Sequence, residues 1–257
     1  MFDHRHLAAA LESVSSVPAE PSAAGIEGGI EDEELTRDGF AAYRCADPRR
    51  QIFDAMIETV AHRGYELTTI ERVLSAAQVP APVFDEHFEN KQECFLQTLD
   101  ALIARLEQTL AARVPGPGQA PWPERIRLGL QTLLVELADH PDSARVALVE
   151  CLSTGEAAVA RLHRALAGLA AVLDEGRAQA VDREARVVGY LPPQISAAVV
   201  GGIASIVHRR VLEDQSAELP ELLPELLFFA LMPYLGHVGA IAAAGLDAAR
   251  EPAQTAA

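Results

Sequence analysis

An all-α fold is predicted by three observations. Apolar residues recur at helical spacing from Arg49 to the neighbourhood of Gly236, and no alternating strand pattern of useful length occurs. Prolines, glycines and capping residues fall where those periodic stretches should start and stop.

The first 48 residues stand apart. Ser, Gly, Pro and acids dominate them, and up to Arg44 nine acidic residues face three basic ones, a net −6. Such a segment buries too little apolar surface to offset its ordering entropy, so residues 1–48 are expected to be a disordered acidic tail. Its Asp3-His4-Arg5-His6 cluster reads as a solvated terminus, and no metal site is expected.

From Arg49 each element can be justified in turn. Ile52, Ala55, Met56 and Val60 share one helical face, and Gly64 stands where a C′ glycine ends a helix. Thr68 with Glu71 has capping-box spacing, and Ile70, Val73, Leu74 and Ala77 form the next apolar face. After Gln78-Val79-Pro80, Phe84 and Phe88 sit at i, i+4 on a short third helix. Asn90 with Glu93 opens a long helix that stops before Pro115-Gly-Pro-Gly118. Helical patterns then cover 124–140, 142–152 and 155–180; another follows Pro192-Pro193, and a last one runs over 221–236. The expected organisation is the tail 1–48, a three-helix helix-turn-helix domain 49–95, a helical domain 96–240 and a flexible tail 241–257.

Charge and cysteine usage exclude several function classes. The 257 residues carry a formal −16, against coating nucleic acid or an anionic membrane through bulk attraction. Three cysteines without a CxxC pair support neither zinc nor a disulfide framework, and a reducing, cytoplasmic compartment is expected. The start lacks the apolar region of a signal peptide. The apolar runs at 195–207 and 226–235 are short for a bilayer span, so no membrane role is expected. No GxSxG, HExxH, Walker or GxGxxG motif occurs; neither an enzyme nor a cofactor is expected.

Residues 52–65, Thr68-Thr69-Ile70, Ala77-Gln78-Val79, Val83-Phe84 and His87-Phe88-Glu89-Asn90-Lys91 form a more specific pattern. As a set they closely resemble the N-terminal domain of the tetracycline-repressor (TetR) family, without a gap from Arg49 to about Phe95. The resemblance implies a transcriptional regulator with an all-helical ligand-binding and dimerisation domain, a homodimer built on its last two helices. It also implies double-stranded operator DNA and a small-molecule effector as partners. Family DNA contacts map onto Thr68, Thr69, Ala81, Pro82, Val83, Asp85, His87 and Lys91, and Arg49 and Arg50 could add phosphate contacts. For the threonines, capping alone is an equal alternative; for Phe84 and Phe88, core packing is the reading.

The pattern departs from the family at the recognition helix. The stretch Pro80-Ala-Pro-Val-Phe-Asp-Glu-His87 carries no Arg or Lys, and an acid stands where an aromatic is usual, at Asp85. Over 45–92 eight acidic residues face five basic ones, whereas phosphate clamps supply most non-specific DNA affinity. The alternative is therefore a degenerate regulator-like ligand sensor or heterodimer partner with weak or no DNA binding of its own.

In the helical domain, Gln131, Cys151, His163 and His208 are the polar candidates on otherwise apolar stretches, and an Ala/Leu/Val-rich lining suits an apolar effector. Ala197, Gly201 and Ser205 give a small face that lets helices approach closely. With Leu222, Leu226, Phe229 and Tyr234 it could build an intersubunit four-helix bundle, or an ordinary internal pair.

Overall fold

A computed structural model describes residues 47–183 and 191–246, with only the helical backbone from 177 to 183. Most of the 1–48 segment, including the Asp3–His6 cluster, and the stretch 247–257 lie outside the described residues. Residues 47–246 belong to one compact unit. Among the described residues there is no strand, only an isolated bridge between Pro117 and Ala120.

Four helices make the N-terminal part: α1 (Pro48–Arg63), α2 (Ile70–Ala77), α3 (Ala81–His87) and α4 (Lys91–Arg113). Asp47 caps α1, its carboxylate accepting from the Arg49 N–H at 3.1 Å. Gly64 ends the helix at φ +81°, a value side-chain-bearing residues rarely adopt. The turn between α2 and α3 is closed by Gln78 in the left-handed region (φ 55°, ψ 38°). Ile52, Met56 and Val60 of α1 meet Val73 of α2, Phe84 of α3, Phe88, and Phe95 and Leu99 of α4 in a closed apolar core. Its rings interlock, with Phe84 5.2 Å from Phe88 and Tyr65 edge-on to Phe95 at 4.9 Å.

The capping expectation shifts by one residue. Thr69, not Thr68, is the N-cap of α2, its hydroxyl accepting from the Arg72 N–H. Glu71 bonds its own N–H and the Thr69 hydroxyl, which holds its carboxyl below the usual range.

The remaining helices are α5 (Trp122–Asp139), α6 (Pro141–Leu148), α7 (Glu156–Arg183), α8 (Ile195–Leu212) and α9 (Leu223–Ala244). Short 3-10 turns at Glu150–Leu152 and Ser216–Leu222 follow α6 and precede α9. The 142–152 stretch is thus a helix plus a separate turn. The last helix does not stop at Gly236: the chain bends there (φ 68°) and coils on to Ala244, with Ala240 fully buried. The first four residues of the expected 241–257 tail are therefore helical.

One core joins α5, α7, α8 and α9 through Leu134, Leu173, Val199, Ile203, Leu227 and Leu231. Trp122 anchors it. Its indole N–H donates to the Val172 carbonyl at 3.1 Å, and its ring meets Tyr234 edge-on at 5.2 Å. The ring lies so close to α7 that a Cβ on Gly176 would stand 2.2 Å from it. The Tyr234 hydroxyl is satisfied by Ser196 at 2.7 Å, and Ser196 in turn by Asp174.

Regular helix extends beyond the apolar runs seen in the sequence. As a result, α8 and the segment Ser216–Ala244 reach the length and hydropathy of a bilayer span. Both, however, commit an apolar stripe to the shared core, through Val199, Ile203 and Val207 on α8 and Leu226, Leu227 and Leu231 on α9.

Candidate nucleic-acid interface and helical-domain surfaces

The helix-turn-helix presents a sharply divided surface. On α3, Phe84 points into the core while Ala81, Pro82, Asp85, Glu86 and His87 are exposed and Val83 is half-buried. Pro80 precedes the helix and supplies no side-chain cap. Thr69 is exposed beside them. An element that enters a DNA groove must offer such an outward row of side chains, and here that row carries acid.

Two of the sequence-predicted contacts are engaged inside the protein. Thr68 is buried, and its hydroxyl donates to the Gly64 carbonyl at 2.9 Å, so that hydroxyl is not available to a phosphate. Lys91 turns back onto the turn between α1 and α2. Its ammonium donates to the carbonyls of Tyr65 (3.1 Å) and Thr68 (3.0 Å) and sits 4.1 Å from the Tyr65 ring centroid. Two carbonyls and a π face satisfy most of a cation's needs, so the chain's only lysine braces the helix pair.

At the start of α1, the Arg49 guanidinium donates to Gln97 of α4 at 2.6 Å and stacks over Phe53. Arg50 is exposed. Arg49 remains exposed too, so the two arginines flank the acidic row with positive charge.

The four polar candidates of the helical domain have different environments. Gln131 and His163 are exposed, and the Gln131 carbonyl accepts from Arg127. Cys151 is fully buried, its thiol donating to the Ala147 carbonyl, and burial pushes it up to about 11. His208 is half-buried with Nδ1 donating to the Leu148 carbonyl at 2.8 Å. Gln131 on α5 and His163 on α7 are thus turned outward, whereas Cys151 and His208 lie inward.

The α8–α9 surface is sorted more clearly. Ala197, Gly201 and Ser205 are all exposed, and a Cβ on Gly201 would meet nothing within 4 Å. Phe229 (40 % exposed) and Met232 (42 %) stand out on α9, Phe229 reaching across to Gly202 of α8. Leu226 and Tyr234 instead face the protein's own core, and Leu222 is half-buried against it. Those three pack the subunit rather than its outer face. A helix with apolar residues on two sides needs exposure to separate them, since periodicity alone gives both faces the same rank.

Sequence reasoning missed the contacts that tie these regions together. Glu150, in the turn after α6, accepts the Tyr65 backbone N–H at 3.1 Å across 85 positions of sequence. Arg145 of α6 reaches Asp214, just past α8, at 3.0 Å. No local pattern marks such pairs.

Residues 52–98 match the family model described as bacterial regulatory proteins, tetR family. The chain carries a TetR-family N-terminal domain. The TetR-type fold extends through the helical domain as well. The FadR fatty acid degradation regulator of Bacillus halodurans superposes with a TM-score of 0.61 at 18% identity, covering 72% of this chain and 95% of that one. FadR of Bacillus subtilis, solved in complex with stearoyl-CoA, gives 0.56 at 20% identity over 72% and 98%. A tetR-family regulatory protein from Rhodococcus RHA1 gives 0.58 at 18% over 74% and 97%. No curated protein matches the sequence.

Proposed function

We propose that this protein is a cytoplasmic, non-enzymatic transcriptional regulator that binds double-stranded operator DNA as a homodimer and answers to an apolar small-molecule effector. One observation carries the reading: a helix-turn-helix with its second helix outward, held on the same compact unit as a helix pair whose outer face is small and apolar. Two copies joined across Ala197, Gly201, Ser205, Phe229 and Met232 would present two recognition helices at a fixed separation. The likeness to FadR in complex with stearoyl-CoA supports a long-chain acyl compound as the effector class.

Within this reading, Thr69, Ala81, Pro82, Val83, Asp85 and His87 face the groove, and Asp85 can accept from a cytosine N4 donor. Arg49 and Arg50 supply phosphate contacts, while Thr68 and Lys91 act from behind by bracing the turn. A titration against DNA from the protein's own promoter at several salt concentrations tests it. Specific binding whose logarithm falls linearly with log salt is the expected result. Absence of binding at low salt would overturn it.

A second reading is favoured by the acidic row itself. With Asp85, Glu86 and Glu89 outward and Lys91 engaged, the protein would act as a ligand sensor or heterodimer partner without DNA binding of its own. A ligand recovered unaltered from the purified protein, together with a blank DNA titration, would support it.

A further inference from the structure

The Glu150 carboxylate stands between two donors that do not have equal holds on it. Its Oε2 accepts the Tyr65 N–H at 3.1 Å and lies 3.4 Å from where a Cβ on Gly64 would be. Its Oε1 is 4.0 Å from Nε of Arg145, too long for a hydrogen bond. That Nε is buried and has no hydrogen-bond partner. The far end of the same guanidinium is occupied, with Nη1 donating to Asp214 Oδ1 at 3.0 Å. Asp214 lies two residues past α8 in the left-handed region (φ 57°) with its side chain 86% exposed. His208 of α8 pins the same corner through Leu148.

A buried N–H without a partner is costly, and closing 1 Å or so onto Oε1 would relieve it. Closing by a movement of Glu150 towards Arg145 would draw the carboxylate away from Tyr65. The Tyr65 carbonyl holds Lys91, and Lys91 holds Thr68. Whatever loosens Tyr65 therefore loosens the turn that feeds α2 and α3.

We propose that Glu150 is a positioning residue that couples the helical domain to the helix-turn-helix, and that Asp214 sets its grip on Tyr65 by keeping Arg145 away from it. The route passes from the end of α8 through α6 to the α1–α2 turn, which Lys91 at the start of α4 braces. An effector or partner that moves the α8 end shifts Arg145 between Asp214 and Glu150, and the turn loosens or tightens accordingly. This deepens the regulator reading and rests on it for its purpose, but the coupling is measurable without DNA.

The test is backbone amide hydrogen exchange, resolved by NMR on the full chain, at residues 64–68. Glu150→Ala removes the acceptor and should speed Tyr65 exchange about tenfold, the scale of one charge-assisted hydrogen bond. Glu150→Gln keeps an acceptor oxygen and should restore much of the protection. Asp214→Asn, at an exposed site that leaves folding intact, should speed the same amides several-fold by releasing Arg145. In the Glu150→Ala background the Asp214 change should add nothing, because its intermediary is gone. Unchanged Tyr65 exchange in Glu150→Ala, or full additivity of the two substitutions, would overturn the coupling. Should the exchange results hold while no DNA binds, the coupling stands and the DNA-binding reading fails.

Discussion

The outward face of the helix-turn-helix and the outward face of α8–α9 belong to one compact unit and differ in almost every property. The first offers Asp85, Glu86 and Glu89 with His87 and Thr69. The second offers Ala197, Gly201 and Ser205 with Phe229 and Met232. Carboxylates keep their hydration unless a partner replaces it group by group, whereas small and apolar side chains gain by being covered. The contrast teaches that the second face gains from any close, complementary cover, while the first binds only a partner that meets its charge. In the proposed regulator the dimer is thus the robust half of the design and DNA affinity the delicate half.

The largest expected effect breaks the α8–α9 side. Gly201→Arg starts in open space, since a Cβ there meets no atom of its own subunit within 4 Å. Across a two-fold it would bury two like charges together, weakening the dimer by about 3 kcal/mol or more, over a hundredfold in dissociation constant. Light scattering over a dilution series should show monomer where the parent protein is dimer, with unchanged helical content. A dimer that persists would move the interface elsewhere.

Next is the brace behind the acidic row. Lys91→Met keeps an unbranched side chain of similar length but removes the ammonium from the Tyr65 ring and leaves the carbonyls of Tyr65 and Thr68 without their donor. Such bonds to a charged donor are worth about 1.5–3 kcal/mol, a loss readable by urea denaturation. If Lys91 mainly clamped phosphate instead, stability would hold and the salt slope of DNA binding would drop.

The unequal legibility of the two regions has a physical cause. The spacing of Ile52, Met56, Val60, Phe84 and Phe88 is local, and it placed the first four helices and their core correctly. Thr69 displaced Thr68 as cap because Thr68 was needed to close the turn onto Gly64, a choice between adjacent hydroxyls that spacing cannot make. In α8 and α9, apolar residues cover both faces, so Leu226 and Tyr234 could not be told from Phe229 without knowing which neighbours they meet. The Glu150–Tyr65 contact spans 85 positions, and a lone glutamate carries no periodic signal. Gly236 looked like a helix end and is a bend within one, because a positive φ serves either purpose.

A smaller effect tests the acidic face directly. Asp85→Tyr with Glu86→Arg removes two carboxylates and adds a guanidinium at exposed positions. Non-specific DNA affinity at low salt should rise, and the log–log salt slope should steepen by about 0.9 for each new phosphate contact. An unchanged titration would mean that charge on α3 is not the obstacle, and would favour the sensor reading.

The smallest contrast lies inside. Cys94, in the helix-turn-helix core, is pushed by burial from 9.0 up to about 12, and Cys151, at the junction with the helical domain, up to about 11. Both pKa values are raised above the unfolded one, so the folded state keeps protons that the unfolded chain sheds. Their contribution is therefore complete below pH 9 and is lost as pH rises through 11 to 12. At pH 8 both thiols should resist iodoacetamide in the folded protein and react freely in urea. Raising the pH towards 10 should lower stability, and Cys94→Ala and Cys151→Ala should each flatten that fall, because both thiols keep their protons in the folded state there. A fall unchanged in both variants would mean that neither buried thiol contributes to it.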